Sequence, residues 1–283
     1  MTTNQSIIWF TAHKCASVYA SEILQKLAED VGMIYRNYEG DLWEKGQSLE
    51  KLIYGNDSET INNMFKTTGH IYGPFRQYYP IPEMEKYKVI LMLRDPRDVL
   101  TSLYFSIAYS HDIPESQKTE IESQREYVKN KNIDGIVIEQ SPWVRTNYEH
   151  YTEYLFGKNN VLFLGYEDMV TDFPIWLIEL CKNLPIKPSE KLKNELIDLA
   201  VFEVEENIYS HKRQVKPGDH RRKLKVNTIK QLNLELQDVL KTYGWLKDER
   251  QEADELFQLY LERAGEKLNN FKQKFEQAKH KII

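Results

Sequence analysis

The sequence predicts an α/β fold, a central parallel sheet flanked by helices. Three short apolar runs carry that prediction: Ile7-Ile8-Trp9-Phe10, Val89-Ile90-Leu91-Met92-Leu93 and Val161-Leu162-Phe163-Leu164. Each run is continuous rather than alternating, as in strands covered on both faces. Each is followed by a loop and a helical pattern, and strands that alternate with helices pair in parallel through crossover connections. With 283 residues, 41% of them hydrophobic and 29% charged, residues 1–283 are read as a single domain.

Past the first run, Ala20, Ile23, Leu24, Leu27 and Ala28 recur at helical spacing on one face. Residues 31–66 are mixed, with Gly32, Gly40, Gly46 and Gly55 punctuating short segments. A second unit opens near Thr67 to Tyr72 and runs into a connector containing Pro74, Pro80 and Pro82. The second apolar run ends at Arg94-Asp95-Pro96-Arg97-Asp98, where Asp95 is a good N-cap and Pro96 suits the first helical position. Leu100, Leu103, Tyr104 and Ile107 give that helix its apolar face.

Residues 110–141 are polar and irregular and read as a surface insertion or lid. A helix is expected around 143–156, before the third run and its sequel Gly165-Tyr166-Glu167-Asp168-Met169. Asp172 and Pro174 open a helix through Cys181, and Ser189 caps the next, with Leu192, Leu196 and Leu199 inward. Residues 205–223 read as a basic loop. Ile229, Leu232, Leu236, Val239 and Leu240 form one helix closed by Gly244. A long last helix, about 249–279, carries Phe257, Tyr260, Ala264, Leu268, Phe271 and Phe275, a face that would suit a homodimer interface.

The net charge is −5 and the isoelectric point about 5.9. That speaks against nucleic acid as a partner, so any anion site must be local. Cys15 and Cys181 give neither a disulfide framework nor metal-ligand spacing, which suits a reducing cytoplasm. The N-terminal residues lack a signal pattern, and no apolar run approaches the roughly 18 residues of a membrane span.

Ligands of such sheets bind beyond the carboxyl ends of the strands, so Lys14, Arg94 and Tyr166 fall on one rim. Lys14 and Ser17 sit in a loop at a helix N-terminus, where free amides and the helix dipole favour an anion. Arg94 offers a two-pronged donor, with Ser102 two turns further along the next helix. Two separated anion sites suit a nucleotide with a phosphate at each end. The plainer readings are an ordinary strand–helix loop, an ion pair of Arg94 with Asp95 or Asp98, and a Ser102 hydroxyl bonded back to its helix.

In these residues the chain resembles the cytosolic-type sulfotransferases that use 3′-phosphoadenosine 5′-phosphosulfate (PAPS) and leave 3′-phosphoadenosine 5′-phosphate (PAP). Thr11 to Tyr19 is similar to the family loop Tyr-Pro-Lys-Ser-Gly-Thr-Thr-Trp. The resemblance, over about residues 5–245, implies the family's P-loop-NTPase-like fold, with the last helix as an addition. It implies that Lys14, Cys15, Ala16, Ser17, Val18 and Tyr19 surround the 5′-phosphosulfate, with Tyr19 packing on adenine. Arg94 and Ser102 would hold the 3′-phosphate, and Tyr166 and Phe202 would touch the adenine. His211 to Asp219 resembles a further segment, in which Arg213 would reach the 3′-phosphate and Gln214 and Val215 replace lysine and glycine. The loop departs from the family at Cys15, Ala16 and Val18. Ala16 brings a Cβ where glycine would allow positive φ, Val18 removes a hydroxyl, and Cys15 reads as a small residue rather than a reactive thiol.

The activity implied is in-line transfer of the sulfonate to a hydroxyl or amine of a small-molecule acceptor. His70, 24 residues before Arg94, is the expected general base. Lys14 would neutralise charge on the departing oxygen, and no metal is required. Gly69 stands where the family has a lysine, with Lys66 as the substitute. Residues 31–66 and 110–141 should shape the acceptor pocket. The 18 tyrosines and Glu203, Glu205 and Glu206 suit a polar or cationic acceptor, such as an alcohol or amine of specialised metabolism. A P-loop kinase needs Gly-x-x-x-x-Gly-Lys-Ser/Thr, and residues 9–17 contain no glycine. The altered loop and the added helix also fit a catalytically inactive nucleotide-binding or scaffold protein.

Overall fold

The computed structural model describes residues 4–56, 58–110, 118–202, 205–210, 213–246, 253–254, 256–266 and 269. Its strands are β1 Ile7–Thr11, β2 Ile34–Arg36, β3 His70–Phe75, β4 Lys88–Leu93 and β5 Val161–Gly165. All pairings are parallel, in the order β2-β3-β1-β4-β5. The three apolar runs are β1, β4 and β5. Strand β1 is central and wholly buried, which explains why its run does not alternate.

Helices α1 Ser17–Val31, α2 Tyr38–Glu44, α3 Leu49–Gly55 and α4 Ser58–Met64 fill the first half. A 3-10 turn at Met84–Lys86 leads into β4. Then come α5 Pro96–Phe105, a π-helical turn at Ser106–Ser110, α6 Lys118–Asn130 and α7 Ile133–Tyr154. After β5 follow α8 Tyr166–Thr171, α9 Phe173–Asn183, α10 Glu190–Leu199, α11 Asp219–Lys223, α12 Val226–Glu235 and α13 Gln237–Thr242. The expected caps are in place: Asp95 accepts from Arg97 N–H at 2.9 Å, and Ser189 and Asp172 cap α10 and α9.

Several expectations are corrected. Residues 118–154 are two helices, not an irregular lid, and α7 begins ten residues before the expected start near 143. Gly135, Ser141 and Pro142 broke the pattern, yet Val137, Val144, Tyr148 and Tyr151 keep one buried face. The edge strand β2 is three residues, two half-buried and one exposed, with no apolar run. Strand β3 was obscured by Gly73-Pro74, because proline argues against a central strand. The helix closed by Gly244 divides at Leu236 into α12 and α13. Within the last helix, Phe257 and Tyr260 are exposed, while Leu256 and Leu259 pack inward. Arg263 donates there to the carbonyl oxygens of Leu224, at 2.7 Å, and Arg221. The remaining landmarks of that helix, Leu268, Phe271 and Phe275, lie outside the described residues, as do Glu203, His211 and Lys212.

Two buried phenols on α7 fix the carboxyl ends of the central strands. Tyr151 donates to the Thr11 carbonyl oxygen at 2.8 Å, and Tyr148 to that of Arg94 at 2.5 Å. Below the rim, α5 is pinned by a buried polar network. Asp98 accepts from Gly218 N–H at 2.7 Å, His220 N–H at 2.9 Å and His220 Nδ1 at 2.6 Å. Arg97 pairs with Asp95 and donates to Asn233 Oδ1 at 2.7 Å, tying α5 to α12.

Gly73 has φ +106°, and a Cβ there would lie 2.5 Å from the Trp9 carbonyl oxygen on β1. Gly73→Ala is therefore expected to lower stability by about 3 kcal/mol, read as a drop in the urea midpoint. Burial alone would raise the Asp98 carboxyl, but the hydrogen bond and charge of His220 and the charge of Arg94 hold it well below the usual carboxylate range. Its stabilisation is complete above that range and is lost as pH falls through it. Asp98→Asn should lose about 3 kcal/mol at pH 7. Its urea midpoint should then fall less steeply than that of the wild type between pH 6 and pH 3.

Candidate active site

The loop after β1 turns sharply. Lys14 and Ala16 have φ of 59° and 53°, the left-handed region, at a cost of roughly 1 kcal/mol or more each. Ala16 thus keeps the backbone shape that glycine would allow more cheaply, and strain of this kind concentrates at functional sites. The turn sets the first amides of α1 without a side-chain cap and without an acidic residue in the first turn. Those orphan N–H groups and the dipole leave an anion site at Ser17, Val18 and Tyr19. Cys15 faces away from it. It is fully buried against the Met92 carbonyl oxygen at 3.5 Å, and burial pushes its thiol up to about 12.

Lys14 Nζ donates to Ser106 Oγ, in the π-helical turn, at 2.9 Å. Burial and the nearby charges of Arg94, Arg76 and Arg213 lower its pKa to about 8. The lysine therefore sits in a strongly positive enclosure within a chain that is acidic as a whole.

Arg94 follows β4 directly. Its Nη1 donates to the Lys14 carbonyl oxygen at 3.1 Å, linking the two strand ends. Its guanidinium lies 4.4 Å over the Tyr166 ring, and Nη2 stands 3.6 Å from Asp98. Nε and Nη2 are buried without a hydrogen-bond partner. A buried guanidinium with unmet donors fits an incoming anion. Tyr166 donates to the Val215 carbonyl oxygen at 2.9 Å. Beside it, Tyr19 packs on Phe173 and, edge-on at 5.5 Å, on Phe202, making an apolar wall.

These groups open on one cleft of about 1190 Å³. Lys14, Ala16, Ser17, Val18, Tyr19, Arg94, Ser102, Tyr166, Phe202, Gln214 and Val215 all line it. Three expected site residues do not. Cys15 is buried behind the loop. Arg213 is buried in ion pairs with Glu206, at 2.6 Å, and Asp219, and stacks over Phe105 at 4.1 Å. His70 is the main correction. It opens β3, pairs in register with Ile34, donates its backbone N–H to Ser6 Oγ at 3.0 Å, and has its ring on the Thr68 carbonyl oxygen. It therefore sits at the amino edge of the sheet, roughly 20 Å of strand away from the rim.

The rim position on β3 belongs instead to Arg76, just past Phe75 and lining the cleft. Glu39, on α2 beyond β2, meets it: Arg76 N–H donates to Glu39 Oε2 at 2.7 Å and Nε to Oε1 at 3.2 Å. His13 and Trp143 also line the cleft, their rings 5.1 Å apart. Arg76 stands to its strand as Arg94 does to β4, a signal hidden by the proline before Phe75. Glu39 carries no signal of its own, since no apolar run marks β2. Among the described residues no cluster of His, Cys, Asp and Glu could hold a metal, and no helix is long and apolar enough to cross a membrane.

The model of the sulfotransferase domain matches residues 41–235. An amine sulfotransferase of Oryctolagus cuniculus is 26% identical over 209 residues, 71% of this chain. The chain spans 62% of the length of that relative. Among solved structures, mouse sulfotransferase SULT7A1 complexed with PAP superposes with a TM-score of 0.56 at 15% identity, over 84% of this chain and 85% of that one. A retinol dehydratase in complex with androsterone and the inactive cofactor PAP gives 0.55 at 18% identity, over 83% and 80%. These structures share the fold, and the domain match covers well over half of the residues: the chain belongs to the sulfotransferase family.

Proposed function

We propose that this protein transfers the sulfonate group of PAPS to a hydroxyl or amine of a small-molecule acceptor. One observation supports it above the others: the buried Arg94 guanidinium, with two unmet donor nitrogens, shares a cleft with the uncapped helix N-terminus behind Lys14. A nucleotide carrying phosphate at both ends satisfies both. PAPS, when bound, supplies the sulfonyl group. The α1 amides, Ser17 and Lys14 would hold the 5′ end, and Lys14 would carry the charge that develops there. Arg94 and Ser102 would hold the 3′-phosphate, and Tyr19, Tyr166 and Phe202 would flank the base. Gln214 and Val215 border it, while Arg213 steadies their segment through Glu206 and Asp219.

The acceptor half of the cleft lies on the β3–β2 side, where Glu39, Trp43, Glu50, Arg76 and Trp143 face it. Carboxylates and aromatic rings together suit a polar or cationic acceptor. The name of the amine sulfotransferase relative agrees with that reading. Radiolabelled PAPS offered with a panel of alkylamines, alcohols, phenols and steroids tests it. Sulfonated amine or alcohol is expected, and turnover confined to phenols and steroids would sink the polar or cationic acceptor.

An anion beside Lys14 must raise the lysine pKa above about 8, so PAP binding near that pH should take up protons. Affinity should be highest below pH 8 and decline as pH rises through it. Calorimetry in two buffers of different ionisation enthalpy reads both effects. Lys14→Met should weaken PAP by about 10- to 100-fold and abolish the uptake. Affinity unchanged from pH 7 to 9.5 would exclude Lys14 from the phosphate site.

A further inference from the structure

We infer that Glu39 is the base that receives the acceptor's proton, positioned by Arg76. The inference rests on the transfer proposed above. Sheet order separates the rim into two halves: β1, β4 and β5 deliver Lys14, Arg94 and Tyr166, while β3 and β2 deliver Arg76 and Glu39. A nucleotide on the first half leaves the acceptor on the second. His70, the histidine expected for this step, is at the opposite edge of the sheet.

Glu39 has the geometry of a base. Its side chain is 14% exposed and opens on the cleft. Two donors of Arg76 grip one oxygen each, so the carboxylate cannot rotate away, yet each oxygen keeps a lone pair. Arg76 in turn lies close enough to Lys14 for its charge to act there. The pair thus bridges the acceptor side to the lysine. Burial raises the Glu39 carboxyl above the ordinary glutamate value against the opposing charge of Arg76, which strengthens it as a base near neutrality. The other titratable groups around it are Tyr79 beyond β3, Tyr151 on α7 and, across Arg76, Lys14. In the step, the acceptor oxygen or nitrogen forms a bond to sulfur. The bond from sulfur to the 5′-phosphate oxygen breaks, its electron pair staying on that oxygen. The acceptor proton passes to Glu39.

The experiment uses the full chain with PAPS and two probes, 2-phenylethylamine and 2-phenylethanol, and measures PAP binding by calorimetry alongside turnover. Glu39→Gln should lower kcat at least 100-fold while PAP affinity stays within twofold of wild type, and Glu39→Asp should restore part of the rate. Arg76→Lys should keep PAP binding and shift the acid limb of the kcat profile to higher pH, since a weaker grip leaves the carboxyl harder to ionise. Turnover of Glu39→Gln within threefold of wild type would overturn the inference, as would parallel loss of PAP binding and rate in both Glu39 variants, or transfer of the rate loss to a His13→Ala variant alone. A wild-type chain that binds no PAP would instead overturn the functional reading, and the assignment of Glu39 with it.

Discussion

The site depends on how the carboxyl ends of buried parallel strands are finished. A strand that stops inside a protein leaves carbonyl oxygens without ladder partners, and such groups must find donors. Here the Tyr151 phenol bonds the carbonyl of Thr11 and the Tyr148 phenol that of Arg94. Arg94 then bonds the carbonyl of Lys14. Three hydrogen bonds therefore hold β1, β4 and the loop between β1 and α1 in one frame. The long helix α7 supplies two of them, so the helix that replaced the expected lid is part of the scaffold of the cleft.

On that frame the chain gathers positive charge, of which Arg76 and Arg213 are paired with carboxylates while Arg94 keeps unmet donors. Lys14 lies within reach of three arginines and is partly withdrawn from water, which is why its proton is held more loosely than usual. Arg94 is buried with donors unmet and is only loosely approached by Asp98. Buried cations without full partners are costly. The two left-handed residues Lys14 and Ala16 add backbone strain at the same place. Cost in charge and in strain thus meet at one point of the cleft. The deeper network of Asp98, His220, Arg97 and Asp95 is, by contrast, mostly satisfied, with His220 Nε2 buried without a hydrogen-bond partner, and it ties α5 to the segment after Arg213.

Strand polarity decided the fate of the two residues at the ends of β3. His70 opens one short strand and Arg76, six positions on, follows its last residue, so one sits at the amino edge and the other on the rim. Distance in sequence from Arg94 could not separate them, because it depends on how long the strand and its connector are. The Gly73-Pro74 pair gives that stretch the pattern of a connector and hides the strand end, and Arg76 with it.

The sequence by itself determined the parallel α/β class, the strands β1, β4 and β5, and the half of the cleft lined by Lys14, Arg94 and Tyr166. Lys14, Arg94 and Tyr166 each follow a strand whose continuous apolar run is visible without neighbours, although β5 at the sheet edge is only partly buried, and that local signal fixes which end of the strand they occupy. Ser17, Ser102 and the N-cap Asp95 follow by short helical offsets. What only the tertiary structure decided is the half of the cleft beside β3 and β2. Its rim is made by a three-residue edge strand, a strand interrupted by proline and helices α2 and α3, none of which has a strong periodic signature. Glu39 and Arg76 meet through a contact 37 residues apart, and Arg213 turns from the cleft to Glu206 and Asp219. Such long-range pairings depend on which strand lies beside which, and local pattern cannot encode that order.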